Sequence, residues 1–85
     1  MVSTSSAASH SPTSSYCKAK TKKFADSLRD YTFYYNLYKN TSSKKNKSFY
    51  KTQYKKYADI AGNQFKEGRK DCGPTFGDKL VIKLS

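Results

Sequence analysis

No run of apolar residues in this chain of 85 residues approaches the roughly 20 that would cross a bilayer. No compact apolar core followed by a cleavage site marks a secretory signal. Acidic side chains are few, six against seventeen Lys and Arg, and none lies between Lys39 and Lys56. Arginine is almost missing, with Arg29 and Arg69 alone beside fifteen lysines. The planar guanidinium fork that makes bidentate phosphate and base contacts is therefore scarce, and the chain's attraction for anions is the diffuse kind that lysine supplies. Histidine occurs once, at His10.

These shortages bear on catalysis. A nucleophilic Ser or Cys needs an oriented base, and His10 sits in a Ser-rich segment with no supporting carboxylate near it in sequence. Asp26 and Asp30 are one helical turn apart, but Lys22, Lys23 and Arg29 surround them, so surface ion pairs are the ordinary reading. The stretch Gly73-Pro74-Thr75-Phe76-Gly77 has glycines without the lysine and the strand-to-helix context of a phosphate loop. Two cysteines far apart and His10 do not form a metal-ligand set. The expectation is a protein that is not an enzyme and requires no cofactor.

What the chain does have is positive charge threaded with aromatic rings. Its net charge is +11 with eight tyrosines and five phenylalanines. Lys39, Lys44, Lys45, Lys47, Lys51, Lys55 and Lys56 form an acid-free strip in which Phe49, Tyr50 and Tyr54 are interleaved. Such a strip gains most when an anion replaces the solvating water and counterions of the ammonium groups. The first seventeen residues carry no Lys, Arg, Asp or Glu. Their Ser, Thr and Ala content reads as a disordered or partner-ordered tail, or as a targeting remnant, over residues 1–17.

From Lys20 to Asn40 the apolar residues Phe24, Leu28, Tyr31, Tyr35 and Tyr38 recur at helical spacing in one stripe, with Phe33 and Leu37 on the opposite side. Asn40 to Ser43 break the pattern and supply N-cap chemistry. A second helix then runs from about Lys44 to Glu67 and gathers Phe49, Tyr50, Tyr54, Tyr57, Ile60, Ala61 and Phe65 on a broad arc. Lys44, Lys51, Lys55 and Lys66 line its far side. Gly62 weakens the helix interior, and Gly68 reads as its terminator. Beyond it, turn residues lead into Leu80, Ile82 and Leu84 alternating with Lys79, Val81 and Lys83, the pattern of a short strand. The predicted fold is mainly α: an antiparallel helical hairpin (about 20–40 and 44–67) with a short C-terminal β-strand. The organisation is a tail at 1–17, a basic Tyr-rich hairpin at 18–68 and a turn-rich segment at 69–85.

Cys17 precedes the first helix and Cys72 follows the second, so an antiparallel hairpin brings both to one end. A disulfide would imply an oxidising compartment. Free thiols, or a thioether to a tetrapyrrole at Cys17 or Cys72 with nearby lysines meeting its propionates, are the alternatives.

Three functions fit. The first is a non-catalytic basic adaptor or linker that docks on acidic protein subunits of a larger assembly. Tyrosine suits interfaces through large area and limited rotamer loss, and the expected contact residues are the seven lysines with Phe33, Tyr34, Leu37, Tyr50 and Tyr54. Basic linker polypeptides of antenna complexes have a comparable charge character, a likeness of composition without a shared motif. The second is nucleic-acid binding, ribosome-associated or architectural, by lysine–phosphate contacts and tyrosine–base stacking. The third is a secreted basic peptide stapled by Cys17–Cys72. For location, a soluble plastid-type organelle or cytoplasmic protein is expected ahead of a secreted one.

Overall fold

The computed structural model describes residues 9–84. Helix α1 spans Ser15–Asn40 and α2 spans Lys44–Cys72, and the two pack antiparallel along their lengths. A third helix, α3, covers Asp78–Leu84. The hairpin therefore agrees with the apolar periodicity, and its helices extend beyond the expected 20–40 and 44–67 at the end opposite the loop. The chain is a rod of 55 × 20 × 20 Å with a radius of gyration of 15.7 Å, against about 12 Å for a sphere-like domain of this length.

Local chemistry sets the helix ends. Ser14, in extended conformation, accepts a hydrogen bond from the Cys17 amide at 3.2 Å and starts α1. Ser43 does the same for α2, accepting from the Asn46 amide at 3.2 Å. The intervening loop is three residues, and the Thr41 amide closes α1 by donating to the Leu37 carbonyl at 3.0 Å. Ser and Thr inside the helices satisfy themselves by bonding back one turn: Thr21 to the Cys17 carbonyl, Ser27 to Lys23, Thr32 to Leu28 and Thr52 to Ser48.

The uncharged segment ahead of α1 is partly anchored. The His10 amide donates to the Asp71 carbonyl at 2.8 Å, and the His10 ring stacks on Tyr16 at 3.8 Å. The tail expected over 1–17 is thus corrected for its last part. Residues 15–17 are the first turn of α1, and His10 makes its contacts within the chain. The expectation for residues 1–8 lies outside the described residues.

Gly68 does not end α2. The edge of the Phe76 ring rests on its bare Cα, where an added Cβ would stand 2.1 Å from ring carbon. Glycine is there to admit the ring. The helix stops five residues later at Gly73, whose φ of 103° is open to glycine at little cost.

The expected C-terminal strand is also corrected: residues 78–84 are helical, and there is no strand among the described residues. A solitary strand would leave its backbone donors and acceptors unpaired. A helical turn pairs them locally, as in the Leu80 and Val81 amides donating to the Gly77 carbonyl at 3.1 and 3.0 Å. Asp78 in the first turn suits the helix dipole. The alternation of Leu80 and Ile82 therefore marks no common face: Leu80 packs against the core, and Ile82 is 72% exposed.

The core lies at the end away from the loop. It consists of Cys17, Phe24, Ala61, Cys72 and Phe76, with Leu28, Phe65 and Leu80 packed against it. Phe24 is its centre, with ring centroids 5.5 Å from Phe65 and 5.8 Å from Phe76. Sγ of Cys17 and Sγ of Cys72 are joined in a disulfide across a Cα–Cα distance of 5.9 Å, so neither thiol is free for a thioether to a tetrapyrrole in this structure.

A candidate docking surface at the loop end

Tyrosines rather than aliphatic residues hold the two helices together toward the loop. Tyr31, Tyr35 and Tyr38 of α1 all meet the Tyr54 ring edge-on, with centroids at 5.9, 5.3 and 5.1 Å. Tyr34 lies parallel to Tyr57 at 5.7 Å and tilts toward Tyr50 at 6.5 Å. Edge-to-face and offset pairs of this kind satisfy the ring quadrupoles. These seven tyrosines are all half-buried.

Around this zipper the lysines stand outward. Lys39, Lys44, Lys45, Lys47, Lys51, Lys55 and Lys56 are all exposed. Residues 31–58 contain no Asp or Glu, so this end holds seven of the eleven net charges. The ion pairs among the described residues lie elsewhere, at Lys20, Arg29 and Arg69. Three ammonium groups are steadied over tyrosine faces: Lys39 over Tyr35 at 5.4 Å, Lys47 over Tyr38 at 4.9 Å and Lys56 over Tyr57 at 5.6 Å. Lys44, Lys47, Lys51 and Lys55 follow steps of three and four residues, which places them in a row along one side of α2.

The start of α2 sharpens this field. Its first turn has no acidic residue and instead carries Lys44, Lys45 and Lys47. Cations at the positive end of a helix dipole are unfavourable by roughly 0.3–1 kcal/mol each when exposed at low salt. An anion placed there relieves both the dipole and the lysine repulsion.

The stapled end is electrically different. Every acidic residue lies outside 31–58, and several are paired. Lys20 reaches Asp71 at 3.2 Å and Glu67 at 3.8 Å, and the Tyr16 hydroxyl donates to Asp71 at 3.1 Å. Hydrogen bonds from Lys20 and then Tyr16 hold the Asp71 carboxyl below its ordinary value of 3.8. Burial pulls Lys20 downward, yet the bonds to Asp71 and Tyr16 outweigh it and leave the ammonium above its ordinary 10.5. This network, together with His10, straps the N-terminal segment across the disulfide, where Cys17 and Cys72 are 1% and 2% exposed.

Of the residues singled out from sequence, the seven lysines and Tyr34, Tyr50 and Tyr54 come together at the loop end, with the tyrosines facing inward. Phe33 is 57% exposed on the outer side of α1, and Leu37 is half-buried near the loop. Sequence reasoning missed the Phe76–Gly68 contact and the His10–Tyr16–Asp71–Lys20 strap. The first depends on a turn eight residues along the chain and the second joins the two ends of the hairpin, and no periodic pattern announces either.

Among the described residues no group of three or more His, Cys, Asp or Glu is placed to hold a metal ion, and no helix is long and apolar enough to cross a membrane. Comparison with protein-family models, curated proteins and solved structures finds no match to this chain.

Proposed function

We propose that this protein is a non-catalytic basic adaptor whose loop end docks on acidic surfaces of protein subunits in a larger assembly. The observation that carries this reading is the concentration of seven exposed, carboxylate-free lysines at the loop end, three of them in the first turn of α2. Their field attracts anions at long range and fixes orientation, the role charged patches take in recruitment. The rod form suits a linker, because it separates the cationic end from the charge-paired stapled end.

Nucleic acid is the competing partner for the same lysines. Against it, Tyr34, Tyr50 and Tyr54 are half-buried and already pair with other tyrosines across the hairpin. Stacking on bases would require those pairs to open. Lysine–phosphate attraction alone remains, and arginine is too scarce to add base reading.

The disulfide favours a second reading of location. A buried Cys17–Cys72 bond is what an oxidising compartment permits, so the adaptor would work in such a compartment or as an exported, stapled basic peptide. The docking chemistry is the same in both cases.

Affinity capture from native extract, in low and high salt and with or without RNase and DNase, tests the proposal. Acidic proteins retained in low salt, released by high salt and indifferent to nuclease are the expected result. Capture abolished by nuclease would assign the lysines to nucleic acid instead.

A further inference from the structure

A second surface lies between α1 and α3. It is a groove of about 530 Å³ floored by Ala25, Leu28, Phe33 and Leu80 and edged by Arg29 from α1 and Lys83 from α3. We propose that this groove receives an acidic amphipathic helix of a partner protein, its apolar side on Phe33 and Leu28 and its carboxylates on Arg29 and Lys83. The inference extends the adaptor reading, and rests on it only in taking an acidic protein as the partner.

Phe33 is the anchor on this side. It is 57% exposed, and its ring touches only the edge of Tyr34 among the aromatic pairs. A single exposed phenylalanine is unremarkable on a small protein. Here it continues the apolar floor made by Leu28 and Leu80, which is the arrangement that helix-in-groove recognition uses.

The edges select the sign of the partner. Arg69 is committed to Asp78 and lies over the Phe65 ring at 4.3 Å. Arg29 is the other guanidinium in the chain, and its ion pair with Asp26 at 3.1 Å is solvent-exposed on both sides, with 76% and 47% of the side chains accessible. An exposed pair of this kind is worth little, so a partner carboxylate can share the fork in the bidentate manner lysine cannot provide. A second copy of this chain is disfavoured as occupant, because each copy brings a charge of +11. From Ala25 to Asn36 the groove follows about three turns of α1, which suits a partner helix of about the same length.

Fluorescence anisotropy with the oxidised full chain and two labelled synthetic peptides of about fifteen residues tests the proposal. Both peptides carry the same glutamates at helical spacing. One has leucines along the remaining face, and the other has serines in their place. The leucine peptide should bind about tenfold tighter, from burial of the exposed part of Phe33 and its neighbours, and the difference should persist in high salt. Phe33→Ser, an exposed change that leaves the far-ultraviolet circular dichroism intact, should erase that difference. The pair Lys51→Glu and Lys55→Glu should weaken both peptides equally and preserve it.

Equal affinity for the two peptides, or a difference that survives Phe33→Ser, overturns the groove as a docking site. So does self-association through Phe33 in sedimentation, which would make the occupant a second copy. If the distal charge reversal changes nothing while the leucine–serine difference stands, the groove stands and the loop-end reading fails.

Discussion

Replacing both Cys17 and Cys72 with serine is expected to remove about 4 kcal/mol of stability, from the chain-entropy value for a cross-link closing a loop of this length. The two cysteines are 55 residues apart in sequence, so the unfolded chain gains much freedom when the bond is absent. Small domains keep a net stability of only about 5–15 kcal/mol, and this one has unusually little to set against the loss. Among the described residues the buried apolar ones are Cys17, Phe24, Ala61, Cys72 and Phe76, and two of those five are the staple itself. Toward the loop, tyrosines do the packing while seven unpaired lysines repel one another. Thermal unfolding followed by circular dichroism should show the midpoint falling by roughly 20 °C. Identical midpoints for the oxidised and serine forms would show that the core and the tyrosine zipper suffice without the bond.

The second large effect is at Phe76. Truncation to alanine is expected to cost about 3–5 kcal/mol, the usual range for emptying a buried phenylalanine site. The ring is 6% exposed, lies against Phe24 and covers Gly68. The Phe76 amide, which the substitution keeps, closes the 73–77 turn by donating to the Gly73 carbonyl at 3.2 Å, so the loss is that of the ring's packing alone.

A companion change gives a sharper test than the size of one loss. Gly68→Ala in the wild-type chain drives a methyl to within 2.1 Å of the ring and should destabilise by about 1–3 kcal/mol through overpacking. With Phe76 already alanine, no ring opposes the methyl. The same Gly68→Ala should then stabilise α2 by up to about 1 kcal/mol through helix propensity. A double-mutant cycle read by chemical denaturation measures that reversal. Additive effects would mean that Phe76 does not rest on Gly68.

The helices were legible in the sequence because their evidence is periodic. Phe24, Leu28, Tyr31, Tyr35 and Tyr38 lie on the side of α1 that faces α2, with Phe24 in the core and the three tyrosines around Tyr54. Ser43 caps α2 as its residue type suggests. The meeting of Cys17 and Cys72 at one end follows from antiparallel geometry and a three-residue loop. Exposure of the lysine strip follows equally, since its residues fall outside the apolar stripes.

What the sequence hid has physical reasons. Leu80, Ile82 and Leu84 alternate like a strand, but alternation says nothing of whether a second strand exists to pair with it. Without one, local helical bonds win. Gly68 carries the composition of a helix terminus, while its use as a seat for the Phe76 ring depends on a turn eight residues away. Tyr34, Tyr50 and Tyr54 read as groups free to touch a partner. They also pack against one another across the hairpin, a use of the rings that their interleaving with lysine does not reveal.

Amide hydrogen exchange of the oxidised protein, with and without an acidic polypeptide in low salt, bears most directly on the cationic tip. New protection should gather at the loop and the opening turns of α2, where Lys44 to Lys56 lie, and should vanish when salt screens the contact. Protection confined to the stapled end, or none anywhere in dilute buffer, would contradict it.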